Sequence, residues 1–163
     1  MGMELKKVIA EKIEVIKKER YKVLLMIGSP LSGKTTLAKE IADSLDAEYI
    51  DHLQEVLPKI ESPALGAYSY IDFREYLRRK GNNSQKEALI IDEINWLIAT
   101  WSQKQRNEMA RVLSFLETKS ALVLVVTKPC KWINSISATS QGESRILDID
   151  QYGERYGRWE QNF

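Results

Sequence analysis

From residue 28 to residue 35 the chain reads Gly28-Ser29-Pro30-Leu31-Ser32-Gly33-Lys34-Thr35. This octapeptide matches the pattern G-x-x-x-x-G-K-[ST] at every fixed position. The strongly apolar run Tyr21–Ile27 comes before it, and Lys34–Leu45, with apolar residues at helical spacing, follows it. The sequence therefore predicts a buried strand, a loop bounded by glycines and a helix, in that order.

The composition of this loop suits a chain of phosphate groups. Small residues let backbone N–H groups point inward at phosphate oxygens, and the start of the following helix directs its positive dipole end at the same anion. Lys34 supplies a positive charge to the β- and γ-phosphates, and the hydroxyl of Thr35 suits a Mg²⁺ ion. We expect the nucleotide-binding residues to be Gly28, Ser29, Pro30, Leu31, Ser32, Gly33, Lys34, Thr35 and Thr36.

Working outward from the loop, apolar strands alternate with helices. Residues 1–20 predict an amphipathic helix, because apolar residues recur at helical spacing among lysines and glutamates. Further helices are predicted over Tyr70–Lys80 and Gln103–Lys119. The predicted strands are Tyr21–Ile27, Glu48–Asp51, Ala88–Ile91, Ala121–Val126 and Arg145–Asp150. Central strands that are apolar on both faces predict a parallel sheet between two layers of helices, an α/β fold of three layers.

The middle of the chain gives weaker signals. Prolines and a glycine interrupt residues 53–67, and the run Gly81-Asn82-Asn83-Ser84 predicts a turn or loop. We expect His52 to be a loop residue after the second strand. Basic residues outnumber acidic ones between Arg74 and Glu87, and such a run is most often a solvated face.

Composition excludes several classes of protein. The chain has 163 residues, a net charge of +1, 44% hydrophobic residues and 29% charged residues, which are ordinary values for a globular protein. With one cysteine and one histidine, it can form neither an internal disulfide nor a zinc site of soft ligands. No apolar run is long enough to cross a bilayer. We expect one cytoplasmic domain over residues 1–163, with a core at 21–150 and a tail at 151–163.

Polar residues follow the predicted strands where their carboxyl ends should share one edge of the sheet. Asp92 and Glu93 come directly after Ala88–Ile91, and Thr127 ends Ala121–Val126. Ligands of parallel α/β sheets bind at this edge. Asp92 could hold Mg²⁺ through water and Glu93 could orient an attacking water. Two plainer interpretations stay open: both acids favour a helix start, and Thr127 is an ordinary strand end.

The order of these motifs resembles the additional-strand branch of the P-loop ATPases, which includes the AAA+-like proteins. The loop corresponds to their Walker A motif, the acidic pair to Walker B and Thr127 to their sensor residue. The resemblance implies ATP and Mg²⁺ as cofactors, Lys34, Glu93 and Thr127 as catalytic residues, and Thr35 and Asp92 at the metal. It also implies the strand order 5-1-4-3-2. The chain departs from that family after Asp150, where no room remains for a C-terminal helical lid.

Phosphoryl transfer usually needs one further cation, often an arginine finger. The candidates in this sequence are Arg106, Arg111, Arg145, Arg155 and Arg158. None stands out from the sequence alone. A neighbouring molecule would then complete the site, which predicts a homo-oligomer or a larger protein complex.

The leading expectation is a small ATPase whose nucleotide state controls assembly. A narrower resemblance, based on size, the leading helix and Asp92-Glu93-Ile94, is to the small P-loop component of BREX-type phage-defence systems. It implies an accessory ATPase that meets DNA through its partners. Two alternatives stay open. One is a kinase of the shikimate or gluconate type, using Asp51 with Arg74, Arg78 or Arg79; the other is a nucleotide-binding interaction module that does not hydrolyse.

Overall fold

The computed structural model describes residues 2–56, 58 and 68–152. Its helices are α1 Gly2–Lys17, α2 Lys34–Ser44, α3 His52–Val56, α4 Tyr70–Asn83, α5 Asn95–Ile98 and α6 Gln103–Ser114. Its strands are β1 Val23–Gly28, β2 Ala47–Asp51, β3 Ala88–Asp92, β4 Ala121–Thr127 and β5 Ile146–Asp148, and a 3₁₀ helix covers Lys131–Ser135. Of the predicted tail at 151–163, the part after Tyr152, which includes Arg155 and Arg158, lies outside the described residues.

The five strands form one parallel sheet in the order β2-β3-β4-β1-β5. This is the predicted order 5-1-4-3-2 seen from the other edge, so the predicted fold class is confirmed. β1 lies between β4 and β5, and Gly28 pairs with Thr127 at the carboxyl end. β2 and β3 are in register from Ala47 with Ala88 to Asp51 with Asp92. The ends of β1, β3 and β4 therefore share one edge.

Each face of the sheet buries its own apolar cluster. On one face, α1 and α2 pack against the strands, with Ile9, Ile13 and Ile16 of α1 each 1% exposed. On the other face lie α4, α6 and the 3₁₀ helix, with Phe73 and Leu113 buried. Such two-sided cover explains why the central strands β1, β3 and β4 are almost wholly apolar.

The prediction of a turn at Gly81-Asn82-Asn83-Ser84 is wrong, because α4 continues to Asn83. Gly81 is buried where a Cβ atom would lie only 2.7 Å from Cβ and Cγ2 of Thr118. The glycine thus permits a close approach to another part of the chain. In contrast, α6 ends at Ser114, earlier than predicted, because Phe115 leaves helical geometry with φ −126° and ψ 15°.

The expectation that His52 is a loop residue is also wrong. His52 begins α3, is fully buried, and lies among aromatic rings of Tyr68, Phe73, Tyr76 and Trp96. Burial lowers the pKa of its imidazole to about 4, even though Glu55 and Asp51 act in the opposite direction. The side chain is a neutral part of the core.

After β5, the described part of the chain contains one short helical segment at residues 150–152 and no helical lid. Among the described residues, no helix is both long enough and apolar enough to cross a membrane.

Candidate nucleotide site

The two glycines of the loop each meet a separate steric demand. At Gly28, a Cβ atom would lie 2.7 Å from Oγ of Ser32 and 2.9 Å from Cγ1 of Ile149. At Gly33, φ is +84°, in the left-handed region that glycine adopts without strain. The spacing of these glycines therefore fixes the curvature of the loop just before α2 begins.

Leu31 forms the exposed tip of the same loop. It has φ +61° although it carries a side chain, and that side chain is fully exposed to solvent. A leucine in this region costs roughly 1–2 kcal/mol. The loop is thus held in its curved form by the residues around it.

Lys34 lies inside the curve of the loop. Its side-chain nitrogen donates to the carbonyl oxygen of Ser29 at 2.7 Å and to Oγ of Ser32 at 3.4 Å. Burial lowers the pKa of the Lys34 ammonium, while the nearby carboxylates of Asp92 and Asp150 act against that shift. The charge lies where phosphate oxygens would meet the N–H groups of the loop. Thr36, also predicted to contact phosphate, is exposed in the first turn of α2.

Asp92 joins three elements at the end of β3. Its Oδ2 accepts hydrogen bonds from Oγ1 of Thr35 at 2.6 Å and from the hydroxyl of Tyr49 at 2.8 Å. Its Oδ1 accepts from the backbone N–H of Glu93 at 2.8 Å. The structure therefore brings the loop and the acidic strand end, predicted separately from the sequence, into direct contact.

The oxygen atoms of Thr35 and Asp92 suit Mg²⁺ better than they suit a metal ion that takes all its ligands from the protein. Thr35 and Asp92 supply oxygen atoms, and Mg²⁺ usually takes one or two protein oxygens while it keeps waters and phosphate oxygens. Within the described ranges, no group of three or more histidine, cysteine, aspartate and glutamate side chains could hold a metal ion.

Glu93 has an unusual backbone conformation, with φ +59°. Burial raises the pKa of its carboxyl, and the neighbouring charge of Asp92 raises it further. The indole N–H of Trp96 donates to the Glu93 carbonyl oxygen, which fixes the peptide. Left-handed conformations of non-glycine residues often occur at functional sites, where the surrounding structure holds them.

Thr127 is locked to the segment that follows the acidic pair. Asn95 donates to Oγ1 of Thr127 at 2.9 Å, and its amide oxygen accepts from the Thr127 backbone N–H at 2.9 Å. The end of β4 is therefore held at a fixed position relative to Asp92 and Glu93.

Comparison with protein-family models finds a match over residues 24–139, described as "ATPase family associated with various cellular activities (AAA)". The chain belongs to the AAA family. The match runs from β1 through the loop and the acidic pair to beyond Thr127, whereas Ile149 and Asp150 lie after its end.

The other comparisons add little to this assignment. Among solved structures, the crystal structure of the DnaC helicase loader is similar at 10% sequence identity, with 87% of this chain and 88% of that chain covered. The TM-score of that match is 0.35, which is too low to support an argument about function. A comparison with curated proteins gave no match.

Two of the arginines named as candidates from the sequence, Arg145 and Arg106, form hydrogen bonds with backbone carbonyl oxygens. Arg145 is buried near the start of β1, where it donates to the carbonyl oxygens of Tyr21 and Val23 and pairs with Glu19. Arg106 donates to the Ile98 carbonyl oxygen at 3.1 Å. Arg111 is exposed, 3.9 Å from Glu108. Arg106 and Arg145 therefore act within the fold.

Three residues of the candidate site were not singled out from the sequence. These are Tyr49, which donates to Asp92, Asn95, which holds Thr127, and Asp150, which accepts hydrogen bonds from Ser29. None belongs to a local motif, so no pattern in the sequence distinguished them. Tyr49 lies on β2, Asn95 begins α5 and Asp150 follows β5, so each meets its partner only in the folded chain.

Proposed function

We propose that this AAA-family chain binds Mg·ATP in the loop at residues 28–36 and hydrolyses it. The observation that carries the proposal is the 2.6 Å hydrogen bond between Thr35 and Asp92. It joins the phosphate loop to the acidic strand end, as a site for a magnesium–phosphate complex requires.

Each side chain has a role that follows from its position. Lys34 offsets the charge of the β- and γ-phosphates from within the loop, and Thr35 and Asp92 hold the cation. Bound Mg²⁺ would neutralise part of the phosphate charge. Glu93 orients the attacking water, and Thr127, held by Asn95, contacts the terminal phosphate.

We further propose that the site is completed by another molecule, so that nucleotide state controls assembly. Arg145 and Arg106 are bonded to backbone carbonyl oxygens within the fold. A finger from a second copy or a partner protein would complete the site. The resemblance of the sequence to the small P-loop component of BREX-type phage-defence systems supports a cytoplasmic accessory role beside partners that act on DNA.

The test is binding and turnover of ATP by the purified chain and two variants. Lys34→Ala should abolish Mg·ATP binding in isothermal titration, because it removes the cation in the loop. Glu93→Gln should keep the affinity and lower hydrolysis by about 100-fold or more, the usual loss when a positioned base is removed. Normal hydrolysis by Glu93→Gln would contradict the role of Glu93.

Turnover measured at several protein concentrations, with and without DNA, tests completion by another molecule. We expect slow hydrolysis that rises more than in proportion to concentration. Fast turnover per molecule, independent of concentration, would contradict completion by a second copy. Tight binding with no ADP after long incubation would favour the non-hydrolysing module instead.

The kinase alternative gains no specific support from the geometry. The Asp51 carboxylate accepts the N–H of Gln54 at 3.0 Å, and Arg78 donates to Glu75 at 2.6 Å. Asp51 and Arg78, which the kinase alternative would use to bind a metabolite, thus form their hydrogen bonds within the fold.

A further inference from the structure

Asp150 makes an unusual contact with the phosphate loop. The backbone N–H of Ser29 lies 3.0 Å and 3.2 Å from the two carboxylate oxygens of Asp150, and the Ser29 hydroxyl donates to one of them. The carbonyl oxygen of the same residue accepts from Lys34 at 2.7 Å. Ser29 thus connects the loop lysine to a carboxylate that is 121 positions away in the sequence.

The position of Asp150 is itself fixed by the strands on both sides of β1. Ile149, just after β5, donates to the Ile27 carbonyl oxygen at 2.9 Å, and the Asp150 N–H donates to Asp148 at 3.0 Å. Lys128, just after β4, lies 3.1 Å from the Asp150 carboxylate and also pairs with Asp148. The carboxylate is therefore a rigid support for the loop.

A negative charge beside a site for a polyanion needs a structural reason. Burial alone would raise the pKa of Asp150, but the bonds from Ser29 and the pairing with Lys128 hold it below its usual value. The carboxylate is thus ionised at neutral pH. The positive charge of Lys128 offsets the repulsion between this carboxylate and phosphate. The hydrogen bonds of the carboxylate to Ser29 hold the start of the loop.

We propose that Asp150 is a positioning residue that holds the phosphate loop, through Ser29, in the form that receives the nucleotide. The inference rests on the proposed function, since the nucleotide is the ligand for which the loop is held. When the Lys34 ammonium moves from the Ser29 carbonyl to phosphate, Ser29 keeps its bonds to Asp150. Loss of Asp150 leaves a looser loop, and ordering it on binding lowers affinity.

The variants Asp150→Ala and Asp150→Asn test this role, with Asp46→Ala as the matched control. Asp46 also accepts a backbone N–H, from Glu87 at 3.2 Å, and pairs with a lysine, Lys86, at 3.5 Å. It precedes β2, at the opposite edge of the sheet from the loop. The control therefore removes the same kinds of bond without touching Ser29.

Two measurements are made on the full chain. In hydrogen exchange without nucleotide, Asp150→Ala should speed exchange of the Ser29 amide by about tenfold, as loss of one such bond implies. In isothermal titration its Kd for Mg·ATP should rise by about tenfold, while kcat at saturating ATP changes less than about twofold. Asp150→Asn, whose amide oxygen still accepts from Ser29, should recover most of both losses, and Asp46→Ala should change neither.

The possible failures are distinguishable. If the unmodified chain does not bind Mg·ATP, the proposed function is wrong, and the exchange of Ser29 alone then decides whether Asp150 holds the loop. If the chain binds Mg·ATP but Asp150→Ala leaves either the Ser29 exchange rate or the Kd unchanged, the positioning role is overturned. An equal loss in Asp46→Ala would also overturn it.

Discussion

His52 is the single histidine of the sequence, and its burial predicts a specific dependence of stability on pH. The folded state holds its pKa at about 4, below the ordinary value of 6.5. Between these values the unfolded chain binds a proton that the folded chain does not. The free energy of unfolding should therefore be highest above pH 6.5 and fall as pH drops, by about 2 kcal/mol at pH 5.

Urea unfolding at pH 7.5 and pH 5 measures this loss, and His52→Phe is the control. Phenylalanine can pack among the same aromatic rings but does not titrate. The variant should lose less stability than the unmodified chain over that interval, by about 2 kcal/mol. Equal losses in the two proteins would show that His52 is not the titrating group.

Tyr49 gives a second prediction at the scale of one residue. Tyr49→Phe leaves Oδ2 of Asp92 with Thr35 as its remaining hydrogen-bond donor. The carboxylate should then be less well oriented for the cation, because residues that hold a metal ligand commonly change affinity by about 10-fold or more when removed. The Mg²⁺ concentration that half-saturates ATP binding should rise by at least that factor.

Titration of Mg²⁺ at fixed ATP measures this effect, with Tyr70→Phe as the control for loss of a tyrosine hydroxyl. Tyr70 lies at the start of α4 and contacts Trp101. The Tyr70 variant should titrate like the unmodified chain. If Tyr49→Phe also titrates normally, the hydroxyl has no part in orienting Asp92.

The site residues that the sequence predicts belong to local motifs, whereas the residues that it does not predict are placed by the pairing of strands. Lys34 and Thr35 follow from a local pattern, and Asp92 from an apolar run that ends in an acid. Tyr49 and Asn95 depend instead on register, which pairs Asp51 with Asp92 and carries β4 past the end of β3, so that Thr127 lies beside Asn95. Register is a property of the folded sheet, so a single sequence does not reveal these partners.

At the scale of elements, the substitution Gly81→Ala tests whether the close contact between α4 and Thr118 requires a glycine. Gly81→Ala should improve helix propensity by about 1 kcal/mol, but the new Cβ would lie 2.7 Å from Thr118. Overpacking of this kind costs about 1–3 kcal/mol. We therefore expect a net loss of about 1 kcal/mol in the free energy of unfolding.

Chemical denaturation measures the loss, and Asn83→Ala on the same helix is the control. Asn83 is exposed, so its variant should stay within about 0.5 kcal/mol of the unmodified chain. A Gly81→Ala protein more stable than the unmodified chain would show that Thr118 moves aside easily.

The error at Gly81 also shows what local pattern leaves out. The run of glycine, asparagines and serine favours a turn, yet the Gly81 carbonyl oxygen accepts from Ser120 at 2.9 Å and Asn82 accepts from Lys119 at 3.0 Å. These contacts come from the segment before β4. The strands, by contrast, were predicted to within a few residues because their apolar runs signal burial directly.

At the scale of the whole molecule, the sheet order explains where the site lies. β1 has β4 on one side and β5 on the other, so the loop after Gly28 leaves the sheet between two strands that come much later in the sequence. The chain reverses its direction of winding at this point, and ligands of such sheets bind there. Thr127 pairs with Gly28 at the end of β4, and Asp150, which follows β5, accepts a hydrogen bond from Ser29.

The same architecture predicts that α1 is an integral layer of one cooperative domain. Ile13 is 1% exposed and belongs to the apolar cluster that includes Met26 of β1 and Val123 of β4. Ile13→Ala should lower the free energy of unfolding by about 2–4 kcal/mol, because it removes buried methylene groups and leaves a cavity. Glu11→Ala, exposed on the same helix, should have little effect.

Two probes decide whether that loss is shared by the entire domain. Trp96, Trp101 and Trp132 lie on the opposite face of the sheet from α1, so in a Trp159→Phe background the fluorescence follows the far layer. Far-ultraviolet circular dichroism follows all the helices. We expect both signals of Ile13→Ala to shift together to lower urea, as one transition. If the fluorescence transition stayed in place while part of the helical signal was lost earlier, α1 would be a separable element, and the sheet with its other helices would be the folding unit.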